Sequence, residues 1–151
     1  MKKVFVVTAA IALLFMACDK NKRASKRLMR PGTWKVVELS VNGAQLSPLP
    51  DDWQIDNCEI YDEVCTATWE LDTTTSRFHW QFNDKAERFT ISRVVDTADC
   101  EDFYTQEVEQ QTFKFSGDYK VLTSKRKLKE LESYSTLGYE GEKVLIRLEW
   151  D

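Results

Sequence analysis

The sequence predicts an all-β protein: about eight antiparallel strands running up and down into a closed β-barrel. Three observations carry this. Apolar and polar residues alternate with period two in five separate segments, the pattern of strands with one dry and one wet face. Short clusters of Gly, Asn, Asp and Ser separate the segments, with no repeat or low-complexity run between them. A meander of this length tends to close, because closure leaves no strand edge exposed.

The elements follow in chain order. A first strand starts at Thr33 and ends at Asn42-Gly43, a turn pair. A long connection from Leu46 to Val64, with Pro48, Pro50 and many acids, holds a short helix or one further strand. From Cys65 to Asp72, Ala67, Trp69 and Leu71 oppose Thr66, Thr68 and Glu70. Asp72 to Ser76 reads as a turn. From Arg77 to Asn83, Phe78, Trp80 and Phe82 share one face, with Arg77, His79 and Gln81 on the other. Asn83-Asp84-Lys85 turns the chain into Glu87–Val95, where Phe89, Ile91 and Val95 face in. After a turn at Asp96–Asp99, Glu107–Phe115 alternates through Phe113 and Phe115, and Ser116-Gly117-Asp118 reads as the next turn. Lys125–Ser133 has helical features, but its neighbours favour a strand. After Gly138–Gly141, Lys143–Trp150 presents Val144, Ile146, Leu148 and Trp150 on one face. Eight strands enclose an interior that side chains fill or that holds one small ligand. The candidates to line it are Trp69, Phe78, Trp80, Phe82, Phe89, Phe113 and Phe115.

The N-terminus has a different character. Lys2 and Lys3 precede an uncharged run from Val4 to Ala17. That run is shorter than the roughly twenty residues a membrane span needs, and with its basic start it reads as a secretory signal. Phe15-Met16-Ala17-Cys18 then resembles the lipobox of bacterial lipoproteins. The resemblance implies lipid on the Cys18 thiol and cleavage that leaves Cys18 as the first residue. Two acyl chains anchor stably, at roughly 0.8 kcal/mol per buried methylene. In some lineages an acidic patch after the cysteine directs export to the cell surface. None follows Cys18, so the expected location is the cell envelope, at the outer membrane facing the periplasm. The expected domains are a signal peptide over 1–17, a basic membrane-proximal tether over 18–30 and the barrel over 31–151.

Charge is divided unevenly. Six basic residues against Asp19 give residues 18–30 a charge of +5, while 13 basic and 24 acidic residues give 31–151 a charge of −11. An acidic body repels phosphate, so a nucleic-acid partner is not expected. A basic segment beside a lipid anchor fits a bilayer, where each cation contributes about 1 kcal/mol. With Cys18 lipidated, Cys58, Cys65 and Cys100 remain, an odd number. One disulfide and one free thiol is the simplest arrangement. Cys58–Cys65 is favoured, and pairing of either with Cys100 is the alternative.

At Gly32-Thr33-Trp34 the chain resembles the lipocalin signature, Gly-x-Trp at the start of the first strand. The resemblance implies that Trp34 plugs one barrel end beneath a basic side chain from the last strand, for which Arg147 is the candidate. A guanidinium over the indole contributes about 0.5 to 2 kcal/mol. The chain is similar to the small lipocalin-like lipoproteins of Bacteroidota. Asp72-Thr73-Thr74 and Asp96-Thr97-Ala98 also resemble the O-glycosylation triplets of that group, making Thr73 and Thr97 candidate sites.

Catalytic chemistry is sparse. His79 is the one histidine, on a polar strand face with no nucleophile motif beside it. The five glycines are scattered and form no phosphate loop. The acid clusters lack the spacing of a calcium loop, and no cysteine pair has zinc spacing. No catalytic residue, metal or cofactor is therefore expected. Two functions remain: a non-enzymatic binder of a small apolar ligand, or a filled barrel that docks to an envelope protein. A hollow interior favours the first.

Overall fold

The structure, a computed structural model, describes residues 20–56, 65–71, 74–93 and 114–151. Its strands are β1 (Thr33–Val41), β2 (Ala44–Gln45), β3 (Trp53–Ile55), β4 (Cys65–Leu71), β5 (Thr74–Asn83), β6 (Arg88–Arg93), β7 (Gly117–Ser124), β8 (Leu128–Thr136) and β9 (Tyr139–Glu149). Every pairing is antiparallel, and β1 pairs with β9 to close the sheet. β2 folds back on β1 as a short hairpin, so eight strands form the wall. This is a closed eight-stranded all-β barrel, compatible with a lipocalin-like fold. The hairpin turn has positive φ at both Asn42 (52°) and Gly43 (81°), the geometry that asparagine and glycine tolerate best.

Parity decides which side chains reach the interior. In β1 Trp34 and Val36 are buried, then Leu39 and Val41. The switch from even to odd follows from a bulge between Val36 and Glu38 in the pairing with β9, since one extra residue turns the following side chains to the other face. In β9, Val144, Ile146 and Leu148 face in. In β8 the inward positions are Lys129, Leu131 and Ser133, and the helical alternative for this stretch is not taken.

Residues 20–29 form a helix, α1, where the sequence predicted a basic tether. Ala24 and Leu28, one turn apart, are buried against one end of the barrel. The Trp34 indole N–H donates to the Leu28 carbonyl at 2.7 Å, and the Ala86 backbone N–H donates to Asn21 Oδ1 at 2.6 Å. The segment is a lid on the barrel end, because its apolar pair recurs at helical spacing.

Two boundaries differ from expectation, at the starts of β5 and β7. The Leu46–Val64 connection contains the strand alternative, β3. Thr74–Ser76, expected in a turn, extend β5. Gly117 and Asp118, also expected in a turn, open β7; the predicted strand over Glu107–Phe115 lies outside the described residues up to position 113, and its last two residues are not strand, Lys114 being helical and Phe115 in a turn. Gly117 serves close strand approach: a Cβ there would collide with the Ser135 carbonyl oxygen.

Candidate ligand recess opposite the helix

The two barrel ends differ. At the helix end the aromatic candidates pack on one another. Trp53 stacks on Trp69 at 5.8 Å between ring centres and meets Phe78 edge-on at 5.0 Å; Trp80 stacks on Phe89 at 5.8 Å, and Phe82 meets Phe89 at 5.0 Å. Such offset and edge-on pairs contribute about 0.5–1.5 kcal/mol each beyond burial. Between Leu28, Trp53, Phe82, Phe89 and Leu131 the packing leaves no water-sized void. Phe78, Trp80, Phe82 and Phe89 are therefore filling, not lining.

Trp34 is fully buried, with its indole N–H bonded to the Leu28 carbonyl of the lid. The cation over its ring is not Arg147. Lys129 Nζ lies 4.9 Å from the Trp34 ring centre and donates to the Lys125 carbonyl. Arg147 sits between the inward Ile146 and Leu148, so strand alternation turns it outward. There it pairs with Glu130 at 3.3 Å and Glu38 at 4.0 Å, its direct neighbours in the ladder. Lys129 is 1% exposed, and burial first and the Arg27 charge second hold its pKa down at about 8. Gly32 precedes Trp34 with φ at 76°.

At the opposite end the described residues line an apolar recess of about 220 Å³. Leu39, Leu46, Pro48, Trp69, Phe115 and Tyr139 are among its walls. Phe115 lies 5.1 Å from Trp69 and 5.5 Å from Tyr139. Of the seven aromatic candidates, Trp69 and Phe115 reach this recess, and Phe113 lies outside the described residues. The Trp69 indole N–H is buried with no acceptor among the described residues. Tyr119 braces the wall nearby. Its hydroxyl donates to the Phe115 carbonyl at 2.7 Å, and burial pushes its phenol far above the usual range.

Sequence reasoning missed Leu39, Leu46 and Tyr139 as recess walls, and Trp53 and Lys129 as core. Trp53 belongs to a three-residue strand, too short to show a period. Lys129 has Lys127 two residues before it, Leu131 two after and Ser133 four after, so only Leu131 marks that face as dry. A signal existed at Tyr139, which follows a turn glycine and starts a long strand. Cys65 is disulfide-bonded. Cys18, Cys58 and Cys100, like Thr73 and Thr97, lie outside the described residues. His79 stands on the outer face between the buried Phe78 and Trp80.

Among the described residues, no helix is long and apolar enough to cross a membrane. Compared with family models, curated proteins and solved structures, the chain matches none.

Proposed function

We propose that this is a lipid-anchored cell-envelope lipoprotein whose lipocalin-like barrel holds a small apolar ligand, without catalysis, in the recess between β1, β4 and β9. The recess carries the reading: an aromatic and aliphatic hollow at the end of a barrel whose other end is packed shut. Its volume of about 220 Å³ lies below the roughly 300–1,000 Å³ of pockets for drug-sized molecules. It therefore suits a ring or a short acyl segment. A ligand acceptor group reaching the Trp69 indole N–H would relieve a buried donor whose desolvation costs about 1–3 kcal/mol. The anchor rests on the lipobox resemblance at Cys18, and the Cys18→Ala variant tests it. That variant should lose incorporation of a fatty-acid analogue, and unchanged labelling would refute the anchor.

Uptake of an apolar fluorescent probe tests the recess. The probe should bind the wild-type chain and quench its tryptophan emission. Leu46→Trp, which fills the recess from its rim, should abolish the uptake while leaving the circular dichroism unchanged. No uptake by the wild-type chain would overturn the binding reading. The second reading, docking to an envelope protein, draws on a groove of about 690 Å³ on the outer wall, where Tyr134 is 56% exposed beside Asp118 and Glu132.

A further inference from the structure

The fold gathers positive charge at one end of a barrel whose body is acidic. The helix α1 buries Ala24 and Leu28, and its exposed side carries Lys22, Arg23, Lys26 and Arg27. The turn joining β7 to β8, residues 125–127, adds three exposed basic side chains from a point about a hundred residues further along the chain. Helix and turn are neighbours. Arg27 is close enough to act on Lys129 electrostatically, and Lys129 is tied to the Lys125 carbonyl. Arg126 and Lys127 stand 5.9 and 6.0 Å from the Trp150 ring centre, and Trp150 lies 6.4 Å from Trp34 under the lid. Among the described residues, the carboxylates at this end include Asp56, Asp84, Glu87, Glu149 and Asp151, with Asp84 paired to Arg88 at 3.3 Å and Asp56 to Arg77 at 3.9 Å. The seven cations of the helix and the turn outnumber these described carboxylates.

From this geometry we infer that the helix-capped end of the barrel is a docking face for an anionic bilayer, with α1 and the β7–β8 turn laid on the headgroups. The described part of the helix starts at Lys20, two residues along the chain from Cys18, the lipid attachment point of the proposed function, on which this inference rests. A lipid there leaves no length for a dangling tether, so the nearest surface of the domain must meet the membrane, and that surface is the basic one. The eleven residues of β9, at about 3.3 Å each and tilted as barrel strands are, span on the order of 25 Å. The ligand recess, at the far end, then opens away from the bilayer into the aqueous compartment. The charge is built into folded elements and does not depend on a flexible leader.

The test uses the chain extracted from membranes and mixed with vesicles of phosphatidylcholine alone or with phosphatidylglycerol added. Flotation with the neutral vesicles, checked against the intact mass, reports the lipid. Lysine acetylation by a water-soluble reagent, read by peptide mass, reports the docked face. On anionic vesicles Lys22, Lys26, Lys125 and Lys127 should react about tenfold more slowly than on neutral ones, with Lys114 at the recess end unchanged. High salt should restore their reactivity. Equal rates on both vesicles, with the protein still floating, would overturn the docking face and leave the lipoprotein reading standing. If the protein does not float with neutral vesicles, the lipid reading fails by itself. Flotation on anionic vesicles alone, lost in the Lys22→Gln/Lys26→Gln/Lys125→Gln/Lys127→Gln variant with its circular dichroism intact, would then still support the face. No flotation on either would overturn it.

Discussion

Replacing Lys129 by methionine should remove a pH dependence that this one side chain imposes on the barrel. Lys129 faces inward from β8, with its ammonium over the Trp34 ring, and no carboxylate pairs with it among the described residues. Its folded pKa, about 8, lies below the ordinary 10.5. Below pH 8 both states carry the proton, and the folded state bears the full cost of a charge held away from water. Between about 8 and 10.5 the unfolded chain binds a proton that the folded chain has released, so stability rises with pH through that window. At 1.36 kcal/mol per tenfold change in proton affinity, the interval is worth about 3 kcal/mol. Methionine keeps the stem and removes the charge, along with a cation–π contact worth about 0.5–2 kcal/mol. The assay is urea unfolding of both proteins, followed by circular dichroism from pH 7 to 10.5. Wild-type stability minus variant stability should rise by about 3 kcal/mol across that range. A difference that stays constant with pH would refute the placement of a charged lysine in the core.

Four further outcomes are expected. Tyr119→Phe should flatten the loss of stability above pH 10, because a phenol whose folded pKa is raised stays protonated while its unfolded counterpart ionises; alkaline unfolding curves check this. Trp53→Ala should cost about 3–5 kcal/mol in chemical denaturation, since its ring contacts Trp69, Phe78 and Phe89 at once. Gly117→Ala should cost about 1–3 kcal/mol, because the atom it would meet is the Ser135 carbonyl, which cannot yield without moving β8. Leu28→Ala should cost about 2–5 kcal/mol and speed amide exchange at residues 20–29, whereas Lys26→Gln on the exposed side should do neither.

The strands carrying the longest alternation were legible. Arg77–Asn83 places Phe78, Trp80 and Phe82 on one face because a buried strand face must be dry at every second residue, and β5 keeps that parity from Arg77 to Phe82. Legibility failed where parity breaks. The bulge after Val36 moves the inward set from even to odd positions, which no periodic template anticipates. Gly117 was misread for a related reason. Glycine serves both turns and close approach of two strands, and its partner, Ser135, lies eighteen residues away. The recess shares that difficulty: Leu39, Leu46, Trp69, Phe115 and Tyr139 meet only when the barrel closes.

Local chemistry was enough for the sequence to establish the class of the domain. Alternation sets which face of a strand is dry, turn residues set where the chain reverses, and a run of strands without a partner sheet closes on itself. Long-range geometry decided the rest. Which of the inward aromatics became filling and which became wall depended on the register around the whole barrel. Lys129 instead of Arg147 covers Trp34, because inward direction is a matter of parity and not of order along the chain. A basic stretch that looked like a tether became a lid because its two apolar residues, four apart, found an open barrel end to cover.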